Sequence, residues 1–208
     1  MDVRHYNYPT LPNNKTKFLS AFTIFTYLTG LVVGAYAVSI TKDKISRDEF
    51  TVSQSLAFGS RELMIICFAL AYFSMILLIW NRGPLKYIAL RSLLITVFFS
   101  LLITIIYVTK YYDEEMHFIM AGIMFVSNLF FILLTAHLFK GYLRNEPVIQ
   151  TYLFDGLIIL TIASFIMVNV YGVFETNSKT FIDDEIFATN ELITVFSGLG
   201  VIYYLGFQ

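Results

Sequence analysis

The chain has 208 residues, of which 57% are hydrophobic and 14% charged. An ordinary globular domain carries roughly 25% charged residues, and a soluble domain of this size has too little interior to hide so much apolar surface. The composition excludes a disordered chain, a nucleic-acid binder and an ordinary soluble enzyme, and points to a membrane protein. The formal net charge of −1 is silent about partners.

Residues 1–17 read as a polar N-terminal tail containing Tyr6, Tyr8, Pro9 and Pro12. The tail lacks the apolar core of a signal peptide and the Arg/Ser-rich, acid-free make-up of a transit peptide. The first uncharged run, 18–41, is too long for a signal core and reads as an uncleaved first span. Further uncharged runs follow at 63–81, 92–109, 116–139, 156–174 and 192–208. Each has about the 17–25 residues that an α-helix needs to cross a bilayer core. Helices are expected because a backbone in lipid must satisfy its own hydrogen bonds, and continuous apolar runs do not alternate as barrel strands do. With their flanks, the predicted spans are 18–41, 62–81, 88–109, 116–139, 150–174 and 186–206. The predicted fold is all-α: a polytopic integral membrane bundle of six transmembrane helices occupying 18–208.

Gly83 and Pro84 break the chain after the second span, and Asn145 to Pro147 break it before the fifth. Charge sorts the connections onto two sides. The side holding both termini carries eight Lys/Arg and three acids, and the other carries six Lys/Arg and twelve acids. The positive-inside rule then places both termini on the cytoplasmic or matrix side. The single cysteine, Cys67, forms no internal disulfide and implies no oxidising compartment. The two halves of the chain show no internal repeat, which argues against a repeat-built transporter.

Gly30 and Gly34 form a GxxxG pair in the first span, where small residues let a second helix approach closely. Ser197, Gly198 and Gly200 in the last span read the same way. His117 opens span four, Glu191 opens span six, and Arg61 with Glu62 open span two. These four form a candidate polar cluster at the outer face, able to contact a lipid head group. Their ordinary reading is helix-end charges that pair or snorkel to water. Asp155 reads as a buried acid near the inner end of span five, with His137 and Arg91 as candidate partners. His117 and His137 lie 20 residues apart, about 30 Å along a helix, and cannot share a site. Asn128 and Asn169 are the notable mid-span polar residues. No phosphate loop, GxSxG, HExxH or CxxC occurs, so no catalytic residue, metal ligand or cofactor-binding residue is assigned and no enzyme is expected.

His117, Ala121, Gly122 and Phe125 open span four, and Glu191, Phe196 and the ending Gly206-Phe207-Gln208 mark span six. In these residues the chain resembles the Frag1/DRAM/Sfk1 family of six-span membrane proteins. The chain departs from that pattern at Leu192, where a Trp is typical, and in the first outer loop. The resemblance implies an endomembrane protein (lysosome, ER or Golgi) concerned with autophagy or lipid handling. The favoured expectation is a non-catalytic accessory subunit of a larger membrane complex, because almost no ionisable group lies mid-span. Respiratory assemblies of the mitochondrial inner membrane are the commonest such complexes. A small transporter or membrane enzyme working at the outer cluster is the third reading. The expected partners are the lipid bilayer and other membrane protein subunits, with no nucleic acid. No cofactor is expected beyond a bound structural phospholipid.

Overall fold

The structure is a computed structural model that describes residues 11–41, 61–83, 88–109, 114–139, 148–178 and 184–207. Side chains are described for 11–36, 62–83, 90–102, 123, 126–137, 152–167, 189–190 and 192–207. The described residues form six α-helices and no strand: α1 (Asn14–Thr41), α2 (Arg61–Asn81), α3 (Ile88–Thr109), α4 (Glu114–Phe139), α5 (Val148–Ser178) and α6 (Asp184–Phe207). Each of the first five helices holds one of the uncharged runs, and α6 holds the described part of the sixth. Two stretches, Asn14–Tyr36 and Glu62–Asn81, are long and apolar enough to cross a membrane. The described parts of the other four are shorter apolar helices: Leu90–Leu102, Val126–His137, Tyr152–Met167 and Leu192–Phe207.

α1 starts four residues ahead of its apolar run, and the cap explains why. The Asn13 side-chain oxygen accepts the Thr16 N–H at 3.0 Å, and the Thr16 hydroxyl accepts the Asn13 N–H at 2.9 Å. This reciprocal box satisfies two donors that a helix start otherwise leaves orphaned. α2 ends differently. The Arg82 N–H bonds the Ile79 carbonyl at 3.1 Å, closing a tightened last turn. The Arg82 side chain is fully buried there.

α1 and α2, and α5 and α6, run antiparallel. Thr23 meets Ser74 and Gly30 meets Cys67 and Phe68, so α1 and α2 count in opposite directions. Phe154 meets Tyr204, Thr161 meets Ser197 and Ser164 meets Thr194, so α5 and α6 do too. Thr16 meets Gly206 and Ser20 meets Ile202, which brings the start of α1 to the end of α6. Close packing runs from α1 to α2, α3 and α4, and from α5 to α6 and back to α1. The seam where α4 meets α5 and α6 is looser.

The larger core lies at the end where α1 begins and α6 finishes, built on Leu19, Leu78, Leu93, Ile132, Phe154 and Leu205. A second cluster, Leu31, Met64 and Phe68, lies farther along between α1 and α2, with Val195 of α6 against it. Small residues decide how closely these helices approach. A Cβ on Gly30 would stand 3.0 Å from a Phe68 ring carbon and 3.1 Å from the Cys67 Cβ. Gly30 therefore packs within the chain, on α2, and both Gly30 and Gly34 are buried.

Polarity is arranged against the habit of a water-soluble bundle. Thr23 and Thr161 are wholly buried, whereas Phe18, Phe25 and Val32 are 66%, 68% and 68% exposed. Ile66, Phe73 and Trp80 of α2, Phe98 and Phe99 of α3, Phe130 of α4 and Ile159 and Ile166 of α5 also face outward. Soluble monomers rarely expose continuous apolar surface beyond a few hundred Å².

Candidate functional site

Besides the bonds of Thr16 and Ser20 to α6 carbonyls, three hydroxyl-to-hydroxyl bridges join helices among the described residues. Thr23 and Ser74 join α1 to α2 at 2.6 Å. Thr161 donates to Ser197 at 2.7 Å, and Thr194 donates to Ser164 at 2.8 Å, joining α5 to α6. In each bridge the accepting hydroxyl has its own proton left for its own helix. Thr23 bonds the Leu19 carbonyl at 2.7 Å, and Ser197 bonds that of Ile193 at 2.8 Å. A hydroxyl that bonds a carbonyl one turn back is satisfied without water. The α5–α6 bridges come from a pattern visible in retrospect: Thr161 with Ser164 and Thr194 with Ser197 repeat the same three-residue spacing on facing helices. That pairing was not anticipated from the sequence.

The outer polar cluster falls on three helix starts. Arg61 and Glu62 open α2, His117 is the fourth residue of α4, and Glu191 is the eighth of α6. α2, α4 and α6 all start at the end of the bundle away from Thr16 and Gly206. Val195 packs against the cluster of Leu31, Met64 and Phe68, so the α6 backbone at Glu191 and the α2 backbone at Arg61 lie toward the same end of the bundle. Asn128 packs beside Gly198, which sets His117 about one turn, or ~5 Å, farther out than Glu191. The side chains of Arg61, His117 and Glu191 lie outside the described residues. The Glu62 side chain is exposed in the first turn of α2, where a carboxylate complements the helix dipole. Ala121, Gly122, Phe125 and Asn169 also have side chains outside the described residues, and Gln208 lies wholly outside them. Phe196 is exposed and Gly206 is buried.

One expectation is corrected. Asp155 reads as a buried acid from its place among apolar neighbours, but its side chain is exposed. The physical reason is helical phase. Phe154, one residue earlier, is buried and stacks edge-on against Tyr204 with centroids 4.9 Å apart. A step of about 100° per residue then turns Asp155 away from that contact. Among the described residues Asp155 makes no ion pair, with Arg91, His137 or any other base.

Asn128 sits at the α4–α6 seam, with both amide atoms 3.6 Å from the place a Cβ on Gly198 would take. It is half-buried and forms no hydrogen bond among the described residues. Among the described residues no three His, Cys, Asp or Glu side chains come together as a metal-ligand group. Comparison with known proteins adds no relative: no family model, curated protein or solved structure matches the chain.

Proposed function

We propose that the chain is a six-span integral membrane protein and that it serves as a non-catalytic accessory subunit of a larger membrane complex. One observation carries this reading: large apolar side chains face outward on all six helices, while the hydroxyls are sealed between them. In lipid, outward apolar surface costs nothing, and helices hold together through close packing and interhelical hydrogen bonds. Both devices are present, in Gly30, Gly200 and Gly206 and in the three hydroxyl bridges. Apart from Arg82 at the end of α2, the described interior is filled by apolar side chains and short hydroxyls, which supports a role in packing rather than in conduction. The compartment we propose is the mitochondrial inner membrane, on the frequency of such subunits in respiratory assemblies.

The test is expression of a tagged full-length chain, extraction of its membranes at alkaline pH, and native purification followed by mass spectrometry. The reading expects the chain to stay in the alkali-washed membrane and to purify with a constant set of other membrane proteins. Release into the alkaline supernatant would remove the six-span reading. Purification as a lone chain with lipid would remove the subunit reading.

A second reading has its own support. The residues that resemble the Frag1/DRAM/Sfk1 family lie on α4 and α6, and those two helices touch at Asn128 and Gly198. An endomembrane protein handling lipid would purify alone, in lysosomal, ER or Golgi fractions, and would lose its bound lipid on substitution of His117 or Glu191.

A further inference from the structure

The described charges are shared unevenly between the two ends of the bundle. The Lys and Arg side chains among the described residues are Lys15, Lys17, Arg82 and Arg91, and all four lie at the end where α1 starts and α6 finishes. Arg82 is buried there, and the other three are exposed. Of the described carboxylates, Glu62 stands at the opposite end, and Asp155 stands on α5, which packs on α4 and α6. At this end the face made by α1, α2 and α3 carries basic side chains and, among the described residues, no acid.

Helical phase assigns the two lysines to different faces. Thr23 and Gly30 touch α2, whereas Thr16 and Ser20 touch α6. A step of about 100° per residue then turns Lys15 to the α2 side of α1 and Lys17 to the α6 side. The pairs Thr23–Ser74 and Gly30–Cys67 set residue 17 opposite Trp80, which leaves the Lys15 and Trp80 backbones about 3 Å apart along the axis. Trp80 is 58% exposed and lies one residue before the end of α2. Arg91 is exposed three residues into α3, and its neighbours Leu90 and Leu93 share one core with Leu78 and Ile79 of α2. Toward the middle of the bundle the same face is apolar: Phe18 and Phe25 follow Lys15, Phe73 and Leu77 lead to Trp80, and Ile95 and Phe98 follow Arg91. An indole at the head of an apolar surface sits at head-group depth, and long cations beside it reach toward phosphate while their stems cover apolar surface.

We propose that this α1–α2–α3 face binds an anionic phospholipid of the adjoining leaflet, with its head group held by Lys15 and Arg91 around Trp80 and its acyl chains along Phe73 and Ile95. The inference rests on the reading of the chain as a membrane-spanning protein and adds the class of lipid and the place where it binds. Charge complementarity selects the occupant: each Lys or Arg near a leaflet surface favours an anionic lipid about fivefold. A zwitterionic head group would bring an ammonium to the same basic face.

Trp80 is the chain's single tryptophan, so its fluorescence reports on this face. The experiment reconstitutes the full-length chain in phosphatidylcholine vesicles that hold a small, equal mole fraction of dibrominated phosphatidylglycerol or dibrominated phosphatidylcholine, and measures quenching of Trp80. The site expects phosphatidylglycerol to associate at Trp80 about tenfold or more better than phosphatidylcholine. Lys15→Gln and Arg91→Gln should each lower that preference about fivefold, and the double variant should bring the two lipids near parity. Lys15→Arg and Arg91→Lys should keep the preference, and because these side chains are exposed all variants should retain the parent's circular dichroism. Lys17→Gln, on the α6 side, should leave the preference within about twofold. Equal quenching by the two lipids overturns the proposal, as does a preference that survives the double substitution. A loss for Lys17→Gln as large as that for Lys15→Gln also overturns it, by assigning the preference to the charge of the whole rim. If neither brominated lipid quenches Trp80, the residue does not face lipid, and the six-span reading falls with the site.

Discussion

The contact between α1 and the end of α6 gives the sharpest test of the bundle. Gly206 is buried against Ser20, and a Cβ there would stand 2.6 Å from the Ser20 Oγ and 3.2 Å from the Thr16 carbonyl oxygen, on top of a clash with the Ser20 Cβ. A flexible side chain could swing aside, but Cβ and carbonyl atoms move only with the backbone. Gly206→Ala must therefore push α6 off α1. Overpacking of this kind costs about 1–3 kcal/mol. The displacement also loosens two bonds that tie the helices, Thr16 to the Gly206 carbonyl at 3.3 Å and Ser20 to the Ile202 carbonyl at 2.9 Å. Interhelical hydrogen bonds in membrane bundles average ~0.6 kcal/mol each. The expected loss is about 2–4 kcal/mol, read from reversible unfolding of the purified protein in mixed dodecylmaltoside/dodecylsulfate micelles by circular dichroism. Ser20→Ala, which removes only one hydroxyl bond, should cost about 0.6 kcal/mol. Ser20→Gly with Gly206→Ala reopens the gap and should recover more than ~1 kcal/mol relative to Gly206→Ala alone, a coupling typical of residues in contact. A Gly206→Ala protein within ~0.5 kcal/mol of the parent, or no relief from Ser20→Gly, would show that α1 and α6 do not approach in this way.

Further outcomes follow from the same packing. Gly30→Val should destabilise by about 1–3 kcal/mol in the same assay because Phe68 and Cys67 already crowd that position, whereas Gly156→Ala should stay within ~0.5 kcal/mol. Thr161→Val removes the donor to Ser197 and should cost about 0.6 kcal/mol, with a double-mutant cycle against Ser197→Ala measuring the coupling. Phe154→Ala empties a fully packed contact with Tyr204 and should cost about 3–5 kcal/mol. Cys67, buried against Gly30, should resist a membrane-permeant maleimide in the folded protein and react fully once dodecylsulfate opens the α1–α2 contact.

Much of the architecture was legible because charge is expelled from long apolar runs, and each described helix is built around one of them. The start of α1 was less legible: a cap made by Asn13 and Thr16 recruits polar residues that composition assigns to a tail. Among the candidate site residues, Gly30 and Gly34 were recognisable as a packing motif, but a spacing of four cannot say which helix it meets. Asp155 was misread because an apolar run contains no information about which side of its helix is covered. Arg82, a charged residue directly after the second apolar run, proves to be a fully buried side chain.

Sequence alone determined that this chain forms apolar helices and where they lie, since hydrophobicity and the need to satisfy backbone hydrogen bonds are local properties. Tertiary structure decided the rest. It paired Thr23 with Ser74 and Thr161 with Ser197, brought Gly206 against Ser20, and turned Asp155 outward beside an open Gly156. Helices that are apolar all round carry little amphipathic signal, so rotation and neighbours are set by small residues and hydroxyls that meet only when the bundle assembles.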